Sequence, residues 1–342
     1  MAGNPPPPPQ VAAAGIPQVA RVERSETRGQ PSPRNRRPSP GFPRSRNPGY
    51  SRTGPRGKLP SVKFTPLSDG FGLETSDIDI SRSMPKAKFV RLERAFFAGQ
   101  VLVLRGQKLA ATKFAAFARR FGPPEPHVID QFHHPDDPNI LILSNVRIDG
   151  KASGLADAGS YFHTDYSYLQ VPARATMLYS IQVPKKGGDT LFANQYAAYD
   201  DLSPDMKARI ERLVALHHYG NRDDQDKSSR TVASVLSEEQ EKKVTWVRHR
   251  VARPHPVTGR TALYSVSGSS FRVEGMPEAE GVALLDQLKS HATQQKYQLC
   301  LKYGVGDVVI WDNASLLHSA TLTDPEDPRT LWRITVKEEG RP

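Results

Sequence analysis

The tripeptide His163-Thr164-Asp165 places an imidazole and a carboxylate two positions apart, and His318 offers a second imidazole far along the chain. In an extended strand, positions i and i+2 point to the same side and lie about 7 Å apart along the backbone. His163 and Asp165 can therefore reach one ion together, with His318 as a third ligand that leaves half of an octahedral coordination sphere open. Two histidines and one carboxylate with open positions are typical of non-haem Fe(II) oxygenases.

Further residues stand at set distances from these three. A Gly-Gly-Asp-Thr run at 187–190 ends 27 residues after His163, and Arg329 and Arg333 follow His318 by 11 and 15 residues. The combined pattern resembles the taurine and 2,4-dichlorophenoxyacetate dioxygenase family of Fe(II)/2-oxoglutarate enzymes. The resemblance extends over residues 62–336 and is carried by His163-Thr164-Asp165, Gly187-Gly188-Asp189-Thr190-Leu191, Trp311-Asp312-Asn313, His318 and Arg329-Thr330-Leu331-Trp332-Arg333.

The resemblance implies an oxidoreductase that consumes 2-oxoglutarate and O2 and hydroxylates a small anionic organic molecule. It implies that His163, Asp165 and His318 are the catalytic residues and the ligands of Fe(II). Thr190 and Arg329 would bind the distal carboxylate of 2-oxoglutarate, because the arginine offers a bidentate fork and the threonine adds a hydroxyl donor.

The two arginines share one side of a predicted C-terminal strand. Positions 329, 331 and 333 alternate with 330, 332 and 334, so Arg329 and Arg333 face the same way, about 13 Å apart. Two arginines on an inward face need anionic partners, since an unpaired buried charge is costly. The resemblance implies that Arg333 holds the anionic end of the substrate.

Two more positions match the substrate pocket of taurine dioxygenases. His127 stands where these enzymes have a sulfonate-contacting histidine, and Tyr219 where they have an aromatic wall; ordinary packing is the alternative for each. Gly159 and Ser269 depart from that pocket. The stretches that are closer to the phenoxyacetate branch are 143–151 and 273–281. The sequence therefore favours an aryloxy carboxylate as the substrate, with an alkyl sulfonate, taurine or a sulfate ester as the alternative.

Short strands separated by turns, with helices inserted between them, predict a mainly β fold with peripheral helices. The resemblance implies the same architecture, a double-stranded β-helix or jelly roll. We predict strands at 101–104, 140–143, 173–183, 190–193, 297–302, 307–311 and 330–337, and helices at 112–121, 203–217 and 278–291. The charged stretch 221–243 is either a mobile lid or a plain solvated loop.

The first 58 residues differ in composition from the rest of the chain. They hold 13 of the 30 prolines and carry ten arginines and one lysine against two glutamates, a net charge of +9. The whole chain of 342 residues carries +11, so residues 59–342 account for only +2. We therefore predict a disordered Pro/Arg-rich tail at 1–58 and one dioxygenase domain at 59–342.

Composition also limits the location and the partners of the protein. Cys300 is the only cysteine, which excludes an internal disulfide and a multi-cysteine zinc site and favours the cytoplasm. No stretch approaches 18 apolar residues, so no transmembrane helix is predicted. Because the basic charge lies in the tail, nucleic acid would bind weakly and through the tail alone. The sequence leaves open whether the chain forms a homo-oligomer.

The rival hypothesis is a catalytically inactive β-barrel binding protein with a basic arm. The arm supports it, but an inactive chain would be expected to lack at least one ligand, and all three are present together with Arg329. Adjacent histidines point to opposite faces of a strand and do not chelate simply. The histidines that we predict as non-ligands are His133, His134, His217, His218, His249, His255 and His291.

Overall fold

The computed structural model describes residues 62–156, 159–220, 222 and 236–338. The tail predicted at 1–58 lies outside the described residues, and so does most of the stretch 221–243. The strands are β1 Thr65–Pro66, β2 Leu73–Thr75, β3 Val101–Leu104, β4 His133–His134, β5 Asp137–Ser144, β6 Arg147–Ile148, β7 Lys151–Ala152, β8 Ala173–Gln182, β9 Thr190–Asn194, β10 Val214–His217, β11 Val247–Arg250, β12 Ala252–Pro254, β13 Thr261–Leu263, β14 Ser270–Val273, β15 Gln298–Leu301, β16 Val308–Asp312, β17 Leu316–Ala320 and β18 Thr330–Lys337. The helices are α1 Lys86–Gly99, α2 Ala111–Ala118, α3 Gln195–Asp200, α4 Pro204–Ile210, α5 Glu238–Glu241 and α6 Glu278–Ala292.

Two sheets form the body of the domain. The larger has eight strands in the order β1-β2-β3-β16-β8-β18-β5-β4, and the smaller has the order β15-β9-β17. Side chains of both sheets meet in one buried core, among them Val309 and Leu331 from the larger sheet and Phe192 and Leu316 from the smaller. The prediction of a jelly roll with peripheral helices is confirmed.

Strand β16 shows how the sequence builds these layers. It reads Val-Val-Ile-Trp-Asp and is buried on both faces, as a run of β-branched and aromatic residues predicts. Val308 and Ile310 pack with helices α1 and α2 on the outer face of the sheet. Val309 and Trp311 point to the inner core between the sheets. The inner face of the larger sheet is therefore the face on which a site can form.

Strand β18 carries the second arginine to that inner face. Leu331 belongs to the inner core, whereas Trp332 and Ile334 belong to the outer layer. Because side chains alternate along a strand, Arg333 faces inward with Leu331. Arg329 lies one residue before the strand, and the pairing with β8 shifts register between Thr330 and Leu331.

Two predicted helices differ from the observed ones. The helix predicted at 203–217 starts as expected, with the Ser203 hydroxyl accepting from the Met206 N–H, but it ends at Ile210. Residues Val214–His217 form strand β10 instead, because their alternate side chains are buried between β11 and β14. The helix predicted at 112–121 ends at Ala118. Tertiary pairing thus overrides local helix propensity at 214–217.

Among the described residues, no helix combines the length and the apolar character that crossing a membrane requires.

Candidate active site

His163, Asp165 and His318 come together on the inner side of the jelly roll. Their candidate ligand atoms all lie within 4.8 Å of one another, and no other group of three such side chains occurs in the described parts of the chain. The Nε2 atoms of His163 and His318 each lie 3.6 Å from an oxygen of the Asp165 carboxylate. These separations exceed hydrogen-bond length and suit three ligands around one cation.

The backbone around the tripeptide differs from the extended strand that we predicted. His163 forms a single bridge with His318, in which the two residues exchange N–H···O bonds of 2.9 and 2.8 Å. Asp165 opens a turn, and Tyr166 follows with φ of 53°, in the left-handed region. The Thr164 hydroxyl donates to the Asn313 carbonyl oxygen at 2.7 Å and anchors the middle residue. The two side chains converge because the chain turns, not because a strand continues.

Both imidazoles present Nε2 to the centre of the cluster. The Nδ1 atom of His163 lies 2.8 Å from the Tyr161 carbonyl oxygen, so Nδ1 donates to that oxygen and Nε2 faces Asp165. His318 is buried, and burial together with the neighbouring His163 lowers its pKa to about 3. His318 is therefore a neutral imidazole at neutral pH, which is the form that binds a metal.

The Asp165 carboxylate is held at both oxygens. Thr176 Oγ1 donates to Oδ2 at 2.6 Å, and Arg333 Nη2 donates to Oδ1 at 2.6 Å. Burial would raise the pKa of Asp165, but the charge of Arg333 and the neighbouring His318 hold that pKa well below its usual range. Asp165 is therefore ionised and oriented.

Asn313 organises this carboxylate from behind, and sequence reasoning gave it no role. Its Oδ1 accepts from Trp311 Nε1 at 3.1 Å and from the Asp165 N–H at 3.3 Å. Its Nδ2 donates to Thr176 Oγ1 at 3.0 Å, which leaves the Thr176 proton for Asp165. The Trp-Asp-Asn motif could have pointed to Asn313, but nothing in the sequence singled out Thr176.

One end of the cavity, called here the Arg329 end, is lined by Thr190 and Arg329, with Gly188 and Tyr303 in the wall behind them. Thr190 and Arg329 line the same cavity as the two candidate histidines. Arg329 Nε donates to the Gly188 carbonyl oxygen at 3.2 Å. Gly188 has φ of +67°, and a Cβ there would meet Arg329 Cδ at 2.9 Å. The glycine is thus required by its backbone conformation and by the arginine packed against it.

The other end, called the Arg333 end, is lined by Arg333, and Asp165, Tyr166 and Tyr168 lie around that arginine. The Arg333 guanidinium lies over the Tyr166 ring, 5.6 Å from its centroid. The Tyr166 and Tyr168 rings meet edge to face at 5.8 Å. Burial would lower the pKa of Arg333, but Asp165 and the neighbouring tyrosines raise it, so the arginine is charged. Sequence reasoning missed both tyrosines, although they directly follow the His-Thr-Asp tripeptide.

The other two predicted substrate-binding residues, His127 and Tyr219, lie around the Arg333 end. The His127 ring lies 5.9 Å from that of Tyr166, and burial together with the charge of Arg333 lowers its pKa to about 3. The Tyr219 ring packs edge to face on Tyr168 at 5.1 Å, and Tyr219 is among the groups that raise the pKa of Arg333. His127 is therefore neutral, and Tyr219 reaches the arginine through a second aromatic ring.

The other histidines lie outside this cluster. His255 is buried, and its Nε2 lies 3.0 Å from Asp312 Oδ2. Its Nδ1 accepts from the N–H groups of Val257 and Thr258, so Nε2 carries the proton and donates to Asp312. This pair supports the end of β16 from the side opposite the candidate site.

Comparison with known families identifies the chain. The profile of the family described as "Taurine catabolism dioxygenase TauD, TfdA family" matches residues 63–335. The chain belongs to this TauD/TfdA family. It is therefore a non-haem dioxygenase that uses Fe(II) and 2-oxoglutarate, and the inactive binding protein is set aside.

Individual relatives of this dioxygenase cover most of its length. The alpha-ketoglutarate-dependent 2,4-dichlorophenoxyacetate dioxygenase of Cupriavidus pinatubonensis is 34% identical over 82% of this chain and 99% of its own. The alpha-ketoglutarate-dependent sulfate ester dioxygenase of Pseudomonas putida is 26% identical over 80% of this chain and 89% of its own. The crystal structure of AAD-2 with Mn(II) and N-oxalylglycine has a TM-score of 0.68 and 28% identity, over 82% of this chain and 98% of that one.

The donor set of this dioxygenase fits Fe(II). Two imidazole nitrogens and one carboxylate suit this ion, and three ligands leave positions for a cosubstrate and O2. His163 Nδ1 already has its carbonyl partner, as metal-bound histidines usually do. Asp165 supplies one negative charge, which offsets one of the two positive charges of Fe(II).

Proposed function

We propose that this dioxygenase hydroxylates a small monoanionic aromatic substrate of the aryloxy carboxylate type. In this proposal, His163, Asp165 and His318 hold Fe(II), and Arg333 holds the anionic group of the substrate. The observation that carries the proposal is a buried, charged Arg333 beside the candidate metal ligands and against an aromatic ring.

The charge of the site supports a substrate with one negative charge. In the described part of the chain, the charged side chains at the cavity are Arg329 and Arg333, with Asp165 against Arg333. His318 and His127 are neutral, since each has a pKa of about 3. With Fe(II) the site carries three positive charges, of which the 2-oxoglutarate dianion offsets two. One carboxylate on the substrate makes the buried site neutral, which avoids the large cost of a buried net charge.

Aromatic side chains at the Arg333 end support an aryl group on that substrate. Tyr166, Tyr168 and Tyr219 form a chain of edge-to-face contacts beside the guanidinium. Such rings offer apolar surface and specific packing to another aromatic ring. Taurine is an aliphatic zwitterion with no net charge, so it offers no ring to these side chains and would leave one positive charge of the buried site without a counter-charge.

Two positions where the sequence departs from taurine dioxygenases support the same choice. A Cβ on Gly159 would meet His163 Cε1 at 2.6 Å, and Gly159 has φ of +75°, so a substrate-contacting side chain does not fit there. The Ser269 hydroxyl donates to the Gly220 carbonyl oxygen at 2.8 Å and is thereby occupied. Both departures remove contacts that a small sulfonate would need.

In the proposed reaction the protein positions three partners. Bound Fe(II) supplies the centre at which O2 is reduced while 2-oxoglutarate is decarboxylated to succinate. Arg329 and Thr190 hold the distal carboxylate of 2-oxoglutarate, and Arg333 fixes the substrate so that one C–H faces the metal. Hydroxylation of a carbon that bears an ether oxygen gives a hemiacetal. Its C–O bond to the aryl oxygen then breaks, which releases the phenol and leaves the hydroxylated carbon as a carbonyl, in glyoxylate when the substrate is an aryloxyacetate. Orientation by Arg333 therefore decides which bond is attacked.

The test is succinate formation by the Fe(II)-loaded enzyme across a panel of matched substrates. The panel contains an aryloxyacetate, its neutral methyl amide, an alkyl sulfonate, taurine and an alkyl sulfate ester. We expect the aryloxyacetate to give the highest kcat/KM and the amide to be poor. Preference for the sulfonate or the sulfate ester would support the alternative substrate class. Equal rates with the neutral amide would contradict anionic recognition.

Three other expectations stay predictions. A cytoplasmic location is favoured by the cysteine content, weak nucleic-acid binding is expected only through the tail 1–58, and a homo-oligomer is open. Cell fractionation, binding of a polyanion to full-length and tail-deleted protein, and sedimentation in solution test them in turn.

A further inference from the structure

We propose that Tyr303 is a positioning residue for the cosubstrate. Its phenol donates to the Thr190 hydroxyl and so directs the threonine proton to the distal carboxylate of 2-oxoglutarate, beside Arg329. The inference rests on the proposed function, because it takes Thr190 and Arg329 as the partners of that carboxylate. It adds a residue that acts through Thr190.

The fold brings the two hydroxyls together. Thr190 opens strand β9, and its pairing partner on β15 is Leu301, two residues before Tyr303. Tyr303 Oη lies 2.7 Å from Thr190 Oγ1, and Thr190 is buried. The turn after the tyrosine is fixed, because the Gly304 N–H donates to Asp307 Oδ2 at 2.7 Å. The hydroxyl pair therefore joins the start of β9 to the segment that follows β15.

The pair stands beside Arg329. Thr190 and Arg329 line the cavity that contains the candidate metal ligands, whereas Tyr303 and Arg329 line a neighbouring cavity with Gly188. Tyr303 also packs against the inner core. The tyrosine thus forms part of the wall behind Thr190, and its hydroxyl reaches the cosubstrate position only through the threonine.

The direction of the hydrogen bond decides what Thr190 offers. A threonine hydroxyl has one proton, so donation to Tyr303 would leave lone pairs facing the carboxylate. A phenol is a stronger donor than an alcohol, and burial raises the pKa of Tyr303 to about 12, so the phenol keeps its proton. Donation from Tyr303 frees the threonine proton for the carboxylate, and the two bonds in series strengthen each other.

The expected effect is on the distal carboxylate alone. Tyr303→Phe removes one neutral hydrogen bond while it keeps the ring, and we expect 2-oxoglutarate affinity to fall about threefold to tenfold. kcat and the substrate KM should change little. 2-Oxopentanoate, which has a methyl group in place of the distal carboxylate, should bind wild type and Tyr303→Phe equally.

The experiment is an anaerobic titration of the Fe(II)-loaded protein with 2-oxoglutarate, followed by the visible absorption of the chelate. It compares wild type, Tyr303→Phe, Thr190→Val and the double variant, with thermal midpoints as a check of folding. Tyr179→Phe is the matched control, since Tyr179 is a buried tyrosine whose hydroxyl accepts from the Leu109 N–H, outside the site. In the double variant, Tyr303→Phe should add nothing to the loss caused by Thr190→Val.

The outcomes separate this inference from the proposed function. Two results would overturn the role of Tyr303 while wild type still binds the cosubstrate. One is an unchanged 2-oxoglutarate affinity in Tyr303→Phe. The other is a loss of affinity from Tyr303→Phe that is as large in the Thr190→Val background as in wild type. An equal weakening for 2-oxopentanoate also overturns it, because the effect would then not involve the distal carboxylate. Failure of wild type to bind 2-oxoglutarate would contradict the proposed function itself.

Discussion

The two ends of the cavity hold an arginine in different ways. At the Arg329 end, a backbone carbonyl of Gly188 accepts from the arginine, and the missing side chain of that glycine makes room for the arginine stem. At the Arg333 end, the guanidinium is held by the Asp165 carboxylate and lies over the Tyr166 ring. One arginine is placed by the main chain and the other by side chains.

This difference has consequences for function. A backbone-held arginine keeps its position whatever occupies the rest of the site, which suits a cosubstrate that is the same in every turnover. The partner of Arg333 is the proposed metal ligand Asp165, so binding of Fe(II) to Asp165 would make the charge of Arg333 available to a substrate. The Arg333 end is therefore the end that can differ between relatives with different substrates.

The largest expected effect comes from Asp165→Ala. The variant lacks a proposed metal ligand and should lose activity at every iron concentration. It also leaves Arg333 buried without its carboxylate, which should lower the free energy of unfolding of the metal-free protein by about 3 kcal/mol. Activity against iron concentration and urea unfolding measure the two effects.

A matched set of variants isolates the charge effect. His163→Ala should abolish activity with a much smaller loss of stability, because its removal leaves no buried charge unpaired. Asp165→Ala combined with Arg333→Met should recover part of the stability and none of the activity. If Asp165→Ala alone were as stable as wild type, the pairing at the Arg333 end would be energetically unimportant.

Arg329→Ala should weaken 2-oxoglutarate binding about a hundredfold, since it removes a charge-assisted pair worth about 3 kcal/mol. Iron affinity should stay the same, because Arg329 is not one of the three candidate metal ligands. Anaerobic titrations with Fe(II) and then with 2-oxoglutarate measure both. An unchanged cosubstrate midpoint would place the distal carboxylate elsewhere.

Gly188→Ala should weaken 2-oxoglutarate binding by about tenfold, because the new Cβ pushes Arg329 from its position, and an L-residue at positive φ adds about 1 kcal/mol of strain. Gly259→Ala is the control: Gly259 has φ of +74°, and no atom lies within 4 Å of its ideal Cβ. It should cost similar backbone strain and leave cosubstrate binding intact. Equal effects of the two variants on cosubstrate binding would show that strain, not displacement of Arg329, is responsible.

The smallest effect is expected from removal of residues 1–58. kcat and both KM values should stay within about twofold, because the family match begins at residue 63. Loss of the basic tail should instead reduce binding to a polyanion, with a steep dependence on salt. A large fall in kcat would show that the tail contributes to the site.

Much of the fold could be predicted because its strands are apolar and bounded by turns. The strand at 101–104 was predicted at its observed bounds, and α6 differs by one residue from its predicted range. Strand β10 was missed because its residues suit either a helix or a strand, and only pairing with β11 and β14 decides between them. Long-range pairing of this kind leaves no local signal.

The candidate site was predicted in part. The sequence singled out both arginines and the two histidines because they occupy set positions in motifs whose spacing along the chain can be recognised. It gave no sign of Thr176 or Tyr303, and only the Trp-Asp-Asn motif could have pointed to Asn313. The roles of these residues depend on hydrogen bonds between side chains from different segments of the chain. The Arg333–Asp165 pair was also not expected, since a sequence does not say which of several nearby anions a buried arginine selects.

The central claim is that Arg329 binds the cosubstrate and Arg333 binds the substrate. Its most direct test is steady-state kinetics of Arg333→Ala and wild type, with an aryloxyacetate and its neutral methyl amide as substrates. Succinate and hydroxylated product are measured together at varied 2-oxoglutarate. We expect the KM of the aryloxyacetate to rise about a hundredfold, the preference over the amide to disappear, and succinate to exceed product, while the 2-oxoglutarate KM changes little. An unchanged preference and full coupling, or an equal rise in the 2-oxoglutarate KM, would contradict the assignment of Arg333 to the substrate.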